Sequence, residues 1–224
     1  MQSLSSVALG DIFVDYVCDL EAAAFAAAAE VLDSHLSASD PTELDIFGPL
    51  QVEVGGAGVQ FAVAAKMMGF DVSSLIGRIG GTCGGKTDLP GAAAIAYLES
   101  QGVEYELTLD QDAHTGRAMI LYFRQGRRLM ISDSSANLTF STEDITPSMV
   151  EKLHKADLIH ASGYSFLQPK RREAIIELLK RAKEKPCLVV LDVVPHSFYR
   201  HMTFDLLLDI TNGLVDWAII EICG

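Results

Sequence analysis

Paired cysteines, long apolar runs and a basic surface are all missing from this sequence of 224 residues. Its cysteines, Cys18, Cys83, Cys187 and Cys223, are far apart and form no C-x-x-C pair, which argues against a zinc site or a small disulfide scaffold. A reducing, cytoplasmic location is the expectation that follows. No apolar run approaches the roughly 20 residues that span a bilayer, and the N-terminus lacks the basic start of a signal peptide.

Basic residues are scarce, because 17 Lys and Arg stand against 30 Asp and Glu, for a formal net charge of −13. Non-specific binding to nucleic acid or to an anionic membrane depends on a basic surface. We therefore expect neither partner. A phosphate ligand would have to be held by backbone amides, a few local cations or a metal.

The stretch from Val52 to Gly69 has the clearest local pattern. Its first three residues alternate as in a short strand, and Gly55, Gly56 and Gly58 follow, where the backbone can turn freely and be approached closely. Apolar residues then recur at helical spacing. A strand, a glycine turn and a helix start direct backbone N–H groups at one spot, which suits an oxygen-rich ligand. A tight turn that allows close helix packing explains the pattern equally well.

Strand and helix patterns alternate along most of the chain. Strands are predicted over residues 7–9, 71–76, 158–161, 187–191 and 215–222, and helices over 21–35, 92–101, 147–155, 169–185 and 204–210. Such alternation predicts a parallel, doubly wound sheet. Strand candidates at 104–109, 117–123 and 128–132 form a local cluster that we expect to be antiparallel, in a small sheet covering the main one.

Residues 80–87 match the phosphate-loop pattern G-x-x-x-x-G-K-[ST]. In a phosphate loop the helix starts at the Gly-Lys-Thr, but here Pro90 and Gly91 follow closely. Proline lacks the helical N–H and clashes with the preceding turn. We therefore predict a loop before a helix that starts near Pro90, with no nucleotide bound by Lys86.

Two polar segments follow predicted strands. Asp11 and Asp15 come just after the first strand, where they either face a polar ligand or serve as turn and cap residues. Tyr164 follows a later strand and is either a ligand contact or a packing aromatic. His160 and His196 have no Ser or Cys arrangement that suggests a triad, so we interpret both as structural.

Several motifs occur in one order along nearly the whole chain: Gly10-Asp11 with Asp15, Gly55 to Gln60 leading to Ala62 and Gly69, Leu75 to Gly80, Thr115-Gly116, Gly126-Arg127, Ala136-Asn137, and Ala156-Asp157 to Gly163-Tyr164. In this order they resemble the PfkB carbohydrate kinases, the ribokinase-like family. The resemblance implies one domain over residues 1–224, a three-layer α/β/α fold with a doubly wound, mostly parallel sheet. It also implies a small β-sheet lid, with strands within about 12–20, 47–54 and 104–132.

The same resemblance implies an activity and a site. The activity is transfer of the γ-phosphoryl group of ATP, with Mg²⁺, to a hydroxyl of a sugar or nucleoside, in a homodimer formed through the lid. The acceptor-binding residues would be Asp11, Asp15, Gly55, Gly56, Gln60 and Tyr164, and Asp192 and Glu221 would lie near the metal or phosphates. An alternative is a non-catalytic, ligand-binding or dimerising relative of that family.

The chain departs from the family pattern in several places. Gln60 stands where the family usually has Asn, Gly81 and Thr82 replace an acidic pair, and only Glu221 matches the Asn-and-Glu motif. The glycine-rich anion hole and the catalytic Asp are expected beyond Gly224. The resemblance thus implies a chain truncated at its C-terminus, without a catalytic residue of its own and inactive alone.

Overall fold

The computed structural model describes residues 3–20, 51–123, 128–193 and 202–220. The predicted helix over 21–35, as well as His196, Glu221 and Gly126-Arg127, lie outside the described residues. The strands are β1 (Ser5–Leu9), β2 (Phe13–Leu20), β3 (Gln51–Gly55), β4 (Val72–Gly80), β5 (Glu104–Asp110), β6 (Gly116–Phe123), β7 (Arg128–Asp133), β8 (Leu158–Ser162), β9 (Leu188–Val193) and β10 (Trp217–Ile220). The helices are α1 (Ala57–Met67), α2 (Leu89–Ser100), α3 (Ala136–Thr139), α4 (Pro147–Lys155), α5 (Pro169–Ala182) and α6 (Phe204–Thr211), with 3₁₀ turns at Thr142–Asp144 and Gly163–Phe166.

The main sheet has the strand order β10-β9-β8-β1-β4-β5, and every neighbouring pair in it is parallel. β1 lies inside this sheet, between β4 and β8. The chain builds β4 and β5 on one side of β1, and then crosses to build β8, β9 and β10 on the other side. This order confirms the predicted doubly wound parallel sheet, and it reverses direction between β1 and β8.

Two hydrophobic clusters cover the two faces of the main sheet. On one face, fully buried Leu153 of α4, Leu178 of α5 and Leu207 of α6 pack against the sheet. On the other face, Val59 of α1 and Leu98 of α2 do the same. Helices on both faces of a parallel sheet give the three layers that the family resemblance implies. No helix of the described residues combines the length and apolar character needed to cross a bilayer.

The chain divides into two compact structural units. The first comprises residues 1–14, 54–116 and 134–224, and the second comprises residues 15–53 and 117–133. The second unit holds most of a four-stranded sheet with the order β3-β2-β6-β7, in which β6 and β7 are antiparallel and Tyr122 lies opposite Arg128.

The prediction that the strand at 104–109 belongs to the small sheet is wrong. β5 is an edge strand of the main sheet and runs parallel to β4, from Ser74 opposite Glu104 to Gly80 opposite Asp110. The helix α2 lies between the two strands in sequence, and a strand–helix–strand connection brings consecutive strands into parallel register. Tyr105 and Leu107 of β5 are partly buried against the core, so this edge strand alternates as an antiparallel strand does.

Candidate functional site

The reversal of strand order puts a candidate site at the carboxyl ends of β1 and β8. In open doubly wound sheets, ligands bind in the crevice outside the strand ends at this point. Gly10 and Asp11 follow β1 directly, and β8 continues into the 3₁₀ turn that carries half-buried Tyr164. Asp11 and Tyr164, two of the sequence-predicted residues, therefore lie at strand ends of the kind that commonly form binding sites.

The N-terminus of α1 packs against the residues that follow β1. Gly56 is the N-cap of α1, has a φ of 98°, and no side chain caps the helix. A Cβ on Gly56 would lie 2.3 Å from the carbonyl oxygen of Asp11, and a Cβ on Gly10 would lie 2.6 Å from the Cα of Gly58. Glycine is therefore required at both contacts. Because the first N–H groups of a helix have no partner within it, this uncapped N-terminus suits an oxygen-rich ligand.

Asp11 does not face open space. Its carboxylate forms an ion pair with the guanidinium of Arg171, and the two side chains are only 7% and 4% exposed, respectively. Sequence reasoning missed Arg171, since the run Lys170-Arg171-Arg172 is typical of a solvated basic face. The helical spacing could have indicated that Arg171 is buried, because the buried residues Ala174 and Ile175 lie three and four residues further along the same helix and so on the same face.

The side chain of Asn137 forms hydrogen bonds with the backbone of Ile12, the residue that follows Asp11. The Oδ1 atom of Asn137 accepts a hydrogen bond from the N–H of Ile12 at 3.0 Å, and its Nδ2 donates to the Ile12 carbonyl at 2.8 Å. Asn137 is 125 residues away in sequence and is buried. This pair of hydrogen bonds gives a structural reason for the Ala136-Asn137 motif.

Asp15 belongs to the second unit, where it is half-buried in β2. Burial, and then the negative charge of Glu53, raise the pKa of the Asp15 carboxyl. A raised pKa means that the local environment stabilises the charged form poorly. A ligand with hydroxyl donors would supply hydrogen bonds that favour the ionised carboxylate.

The remaining predicted site residues lie in the first unit. Gln60 is exposed on α1, and its Nε2 donates weakly, at 3.4 Å, to the carbonyl of Val54. Asp192 lies in β9 and is paired in register with Ser162 of β8. The described residues contain no cluster of three His, Cys, Asp or Glu side chains that could hold a metal ion.

His160 is a buried residue of β8 and stacks on Phe61 of α1. The ring centroids are 4.2 Å apart and the planes differ by 8°. Burial lowers the pKa of His160 to about 4, so the ring is neutral at neutral pH. His160 thus packs in the core against α1, the helix whose N-terminus borders the candidate site.

In the loop that matches the phosphate-loop pattern, the helix does not start at the Gly-Lys-Thr as it does in a phosphate loop. The helix after it, α2, begins at Leu89, which confirms the predicted start near Pro90. Asp88 is its N-cap and accepts a hydrogen bond from the N–H of Gly91 at 2.8 Å. The same carboxylate accepts from the N–H of Thr115 at 2.7 Å and from its hydroxyl at 2.6 Å, so it ties the start of α2 to Thr115.

Arg78, near the end of β4, is held by two carboxylates. Its Nε lies 3.2 Å from the Oδ2 of Asp110, and its Nη1 contacts Asp144. Burial opposes ionisation of Asp110, but hydrogen bonds from Thr139 and from the N–H of Asp112, together with the charge of Arg78, lower its pKa overall. The charge of Arg78 is thus matched within the protein.

These features define a class of protein: a three-layer α/β domain with a doubly wound parallel sheet, a glycine turn at the point where the strand order reverses, and a second small sheet. Comparison with family models then identifies the family. The model of the pfkB family carbohydrate kinases matches residues 24–221, so the chain belongs to that family. The comparison with curated proteins gives no significant match.

Solved kinase structures share the fold. An adenosine kinase from Sinorhizobium meliloti matches with a TM-score of 0.73 and 18% identity over 97% of this chain and 64% of that one. A ribokinase from Giardia lamblia matches with a TM-score of 0.71 and 18% identity, over 98% of this chain and 57% of that one. An uncharacterized sugar kinase from Pyrococcus horikoshii in complex with ATP matches with a TM-score of 0.68 and 18% identity, over 95% and 62%. The fold is therefore ribokinase-like, and the chain spans about 57–64% of the length of these three structures.

Proposed function

We propose that this chain supplies the acceptor-binding part of an ATP-dependent kinase that phosphorylates a hydroxyl of a sugar or nucleoside. The observation that carries the proposal is the uncapped N-terminus of α1, which has Gly56 as its N-cap residue and lies beside the carboxyl end of β1. Membership of the pfkB family supports the reaction class. The kinase neighbours, one of them in complex with ATP, support the choice of acceptor and donor.

Each proposed acceptor contact has a chemical basis. The backbone at Gly55 and Gly56 can approach a polyhydroxyl ligand closely because no side chain intervenes. The amide of Gln60 and the phenol of Tyr164 can both donate and accept hydrogen bonds, while the Asp15 carboxylate accepts them from two hydroxyls. A ligand of many hydroxyls needs paired hydrogen bonds of these kinds.

Phosphoryl transfer follows a fixed balance of bonds. The acceptor oxygen bonds to the γ-phosphorus, the bond from that phosphorus to the bridging oxygen breaks, ADP leaves, and the hydroxyl proton passes to a base. Magnesium would neutralise charge on the phosphates in this step. Since no metal-binding cluster occurs among the described residues, Asp192 and Glu221 remain predictions for that neighbourhood.

Ligand-induced stabilisation tests the proposal directly. We expect one member of a panel of adenosine, ribose and fructose to raise the melting temperature of the 224-residue chain in a thermal-shift assay. At a concentration 100 times its Kd, a ligand stabilises the folded state by about 2.7 kcal/mol, which corresponds to about 5 °C or more for a domain of this size. No shift with any of the three, at concentrations up to 10 mM, would contradict the proposal.

Asp15→Asn tests the predicted acceptor contact. Losing a charge-assisted hydrogen bond costs about 1.5–3 kcal/mol, so the Kd of the bound panel member should rise by at least tenfold in calorimetry. Glu99→Gln, at an exposed position of α2, is the control and should leave the Kd unchanged. Because burial and Glu53 raise the pKa of Asp15, acceptor affinity should fall with decreasing pH earlier than an ordinary aspartate would dictate.

A ligand-binding, dimerising relative is the second candidate. Leu129, Met130 and Ile131 of β7 are exposed on the edge strand of the small sheet, which is a typical feature of an interface. A dimer in light scattering that Ile131→Glu converts to a monomer, and that Leu89→Glu in the first unit does not, would support association through the small sheet.

A further inference from the structure

The buried ion pair between Asp11 and Arg171 indicates a role for Arg171 in positioning the backbone near the candidate site. We propose that Arg171 is a positioning residue: by holding Asp11, it fixes the backbone against which the first turn of α1 packs, and so sets the geometry of the Gly55-Gly56 turn. This inference rests on the proposed function, in which that turn binds the acceptor. It also makes Asp11 an anchor of the site rather than a direct ligand.

Arg171 occupies an unfavourable position. It lies in the first turn of α5, at the positive end of the helix dipole, and its side chain is only 4% exposed. Its Nε atom is buried and has no hydrogen-bond partner among the described residues. Burying an ion pair costs so much desolvation that apolar residues of similar size often stabilise a fold equally well. Stability alone is therefore a poor explanation of this pair, and a geometric role explains it better.

The ion pair holds the backbone that follows β1 against α1. The carbonyl oxygen of Asp11 lies so close to Gly56 that a Cβ there would be 2.3 Å from it. Gly10 and Gly58 make the second close contact, and Asn137 binds both backbone groups of Ile12. A shift of the segment that follows β1 would therefore be transmitted to the N-terminus of α1.

The space beside Arg171 is too small for an acceptor. The cavity lined by Gly10, Arg78, Asn137 and Arg171 has a volume of about 10 Å³. That volume accommodates about one water molecule and no sugar ring. The contact between Arg171 and Asp11 is thus internal to the protein, and the acceptor has to be bound through the groups that the pair positions.

Single variants separate an anchor from a ligand. We expect Arg171→Met to raise the Kd of the panel member that stabilises the unmodified chain by at least tenfold in calorimetry. Lys170→Met, which removes an exposed charge from the same turn of α5, should change the Kd by less than twofold. Asp11→Asn keeps an oxygen that accepts a hydrogen bond from Arg171, so its Kd should stay within threefold. If Asp11→Asn weakens binding as much as Asp15→Asn does, Asp11 contacts the acceptor and the inference is overturned.

The double variant Asp11→Asn/Arg171→Met separates positioning from stability. It leaves no unpaired buried charge, so we expect its melting temperature to recover relative to Arg171→Met. The acceptor Kd should nevertheless remain at least tenfold raised, because the turn is no longer held. Recovery of the Kd together with the melting temperature would show that the pair is merely structural. Should Arg171→Met not fold, the double variant carries the test.

Hydrogen exchange gives a readout that needs no ligand. Amides of residues 10–12 and 56–59 should exchange at least tenfold faster in the double variant, and at the unmodified rate in Lys170→Met. If no panel member binds the unmodified chain, the proposed function fails and this exchange alone decides the positioning role. Unchanged exchange at both segments would overturn it.

Discussion

Gly56 combines a left-handed backbone with a close neighbour, and Gly69 has the first feature without the second. Their φ values are 98° and 95°, but a Cβ on Gly69 would meet nothing within 4 Å. Left-handed backbone costs a residue with a Cβ about 1–2 kcal/mol. We expect Gly69→Ala to lower the free energy of unfolding by about 1 kcal/mol. Gly56→Ala should lower it by about 3 kcal/mol or more, because the Asp11 carbonyl must also move. Urea unfolding checks both, and equal losses would contradict the contact.

His160 makes stability depend on pH. Its folded-state pKa is about 4, whereas an unperturbed histidine titrates near 6.5. Above pH 6.5 the ring is neutral in both states and has no effect. As the pH falls from 6.5 to 4, the unfolded state binds a proton that the folded state does not. The free energy of unfolding should then decrease by about 1.4 kcal/mol per pH unit, or about 3 kcal/mol in total.

His160→Phe should remove this part of the acid sensitivity while keeping the stack on Phe61. Urea unfolding at pH 7 and pH 4.5 measures the difference between the two proteins. His154→Gln, at a partly exposed position of α4, provides the control. An unchanged loss of stability between the two pH values in His160→Phe would show that the histidine is not responsible.

At the scale of elements, the loop before α2 contains two residues, Asp88 and Lys86, that we expect to differ in their contribution to stability. Asp88 caps α2 and accepts hydrogen bonds from Thr115. The Lys86 side chain is exposed, and it is the backbone carbonyl of Lys86 that accepts a hydrogen bond from the N–H of Thr82. We expect Asp88→Ala to cost about 2–3 kcal/mol of stability, from a lost cap and lost hydrogen bonds to a charge. Lys86→Ala should cost almost nothing and leave any ATP affinity within about twofold. A tenfold loss of ATP binding in Lys86→Ala would revive the phosphate-loop interpretation.

Sequence patterns predict some of these elements and misassign others. Periodicity within a segment predicts α4 and α5 well, because the pattern of a helix depends on neighbours three and four residues away. β5 is misassigned since an edge strand with one covered face alternates in either kind of sheet. The pairing of Asp11 with Arg171 spans 160 residues, and no local pattern encodes a contact at that distance.

Across the whole molecule, the fold is more predictable than the candidate site. The glycines at 10, 56 and 58 appear in the sequence as a motif, but only the structure shows that they contact one another and the Asp11 backbone. Side-chain roles depend on such three-dimensional contacts. Asp11, for example, matches a ligand in the sequence and is ion-paired in the structure. The fold that the resemblance implies is confirmed, whereas the site residues that it implies stay predictions.

The inner position of β1 has a consequence for the order in which the protein folds. β1 pairs with β4, where Ser6 lies opposite Ser73, and with β8, where Ser6 lies opposite Leu158. Contacts this distant in sequence form slowly because long loops must close first. During synthesis β1 is made before its second partner, which emerges only after about 150 further residues. Until then one edge of a strand that ends up buried is unpaired, and the nascent chain is at this stage most dependent on chaperones.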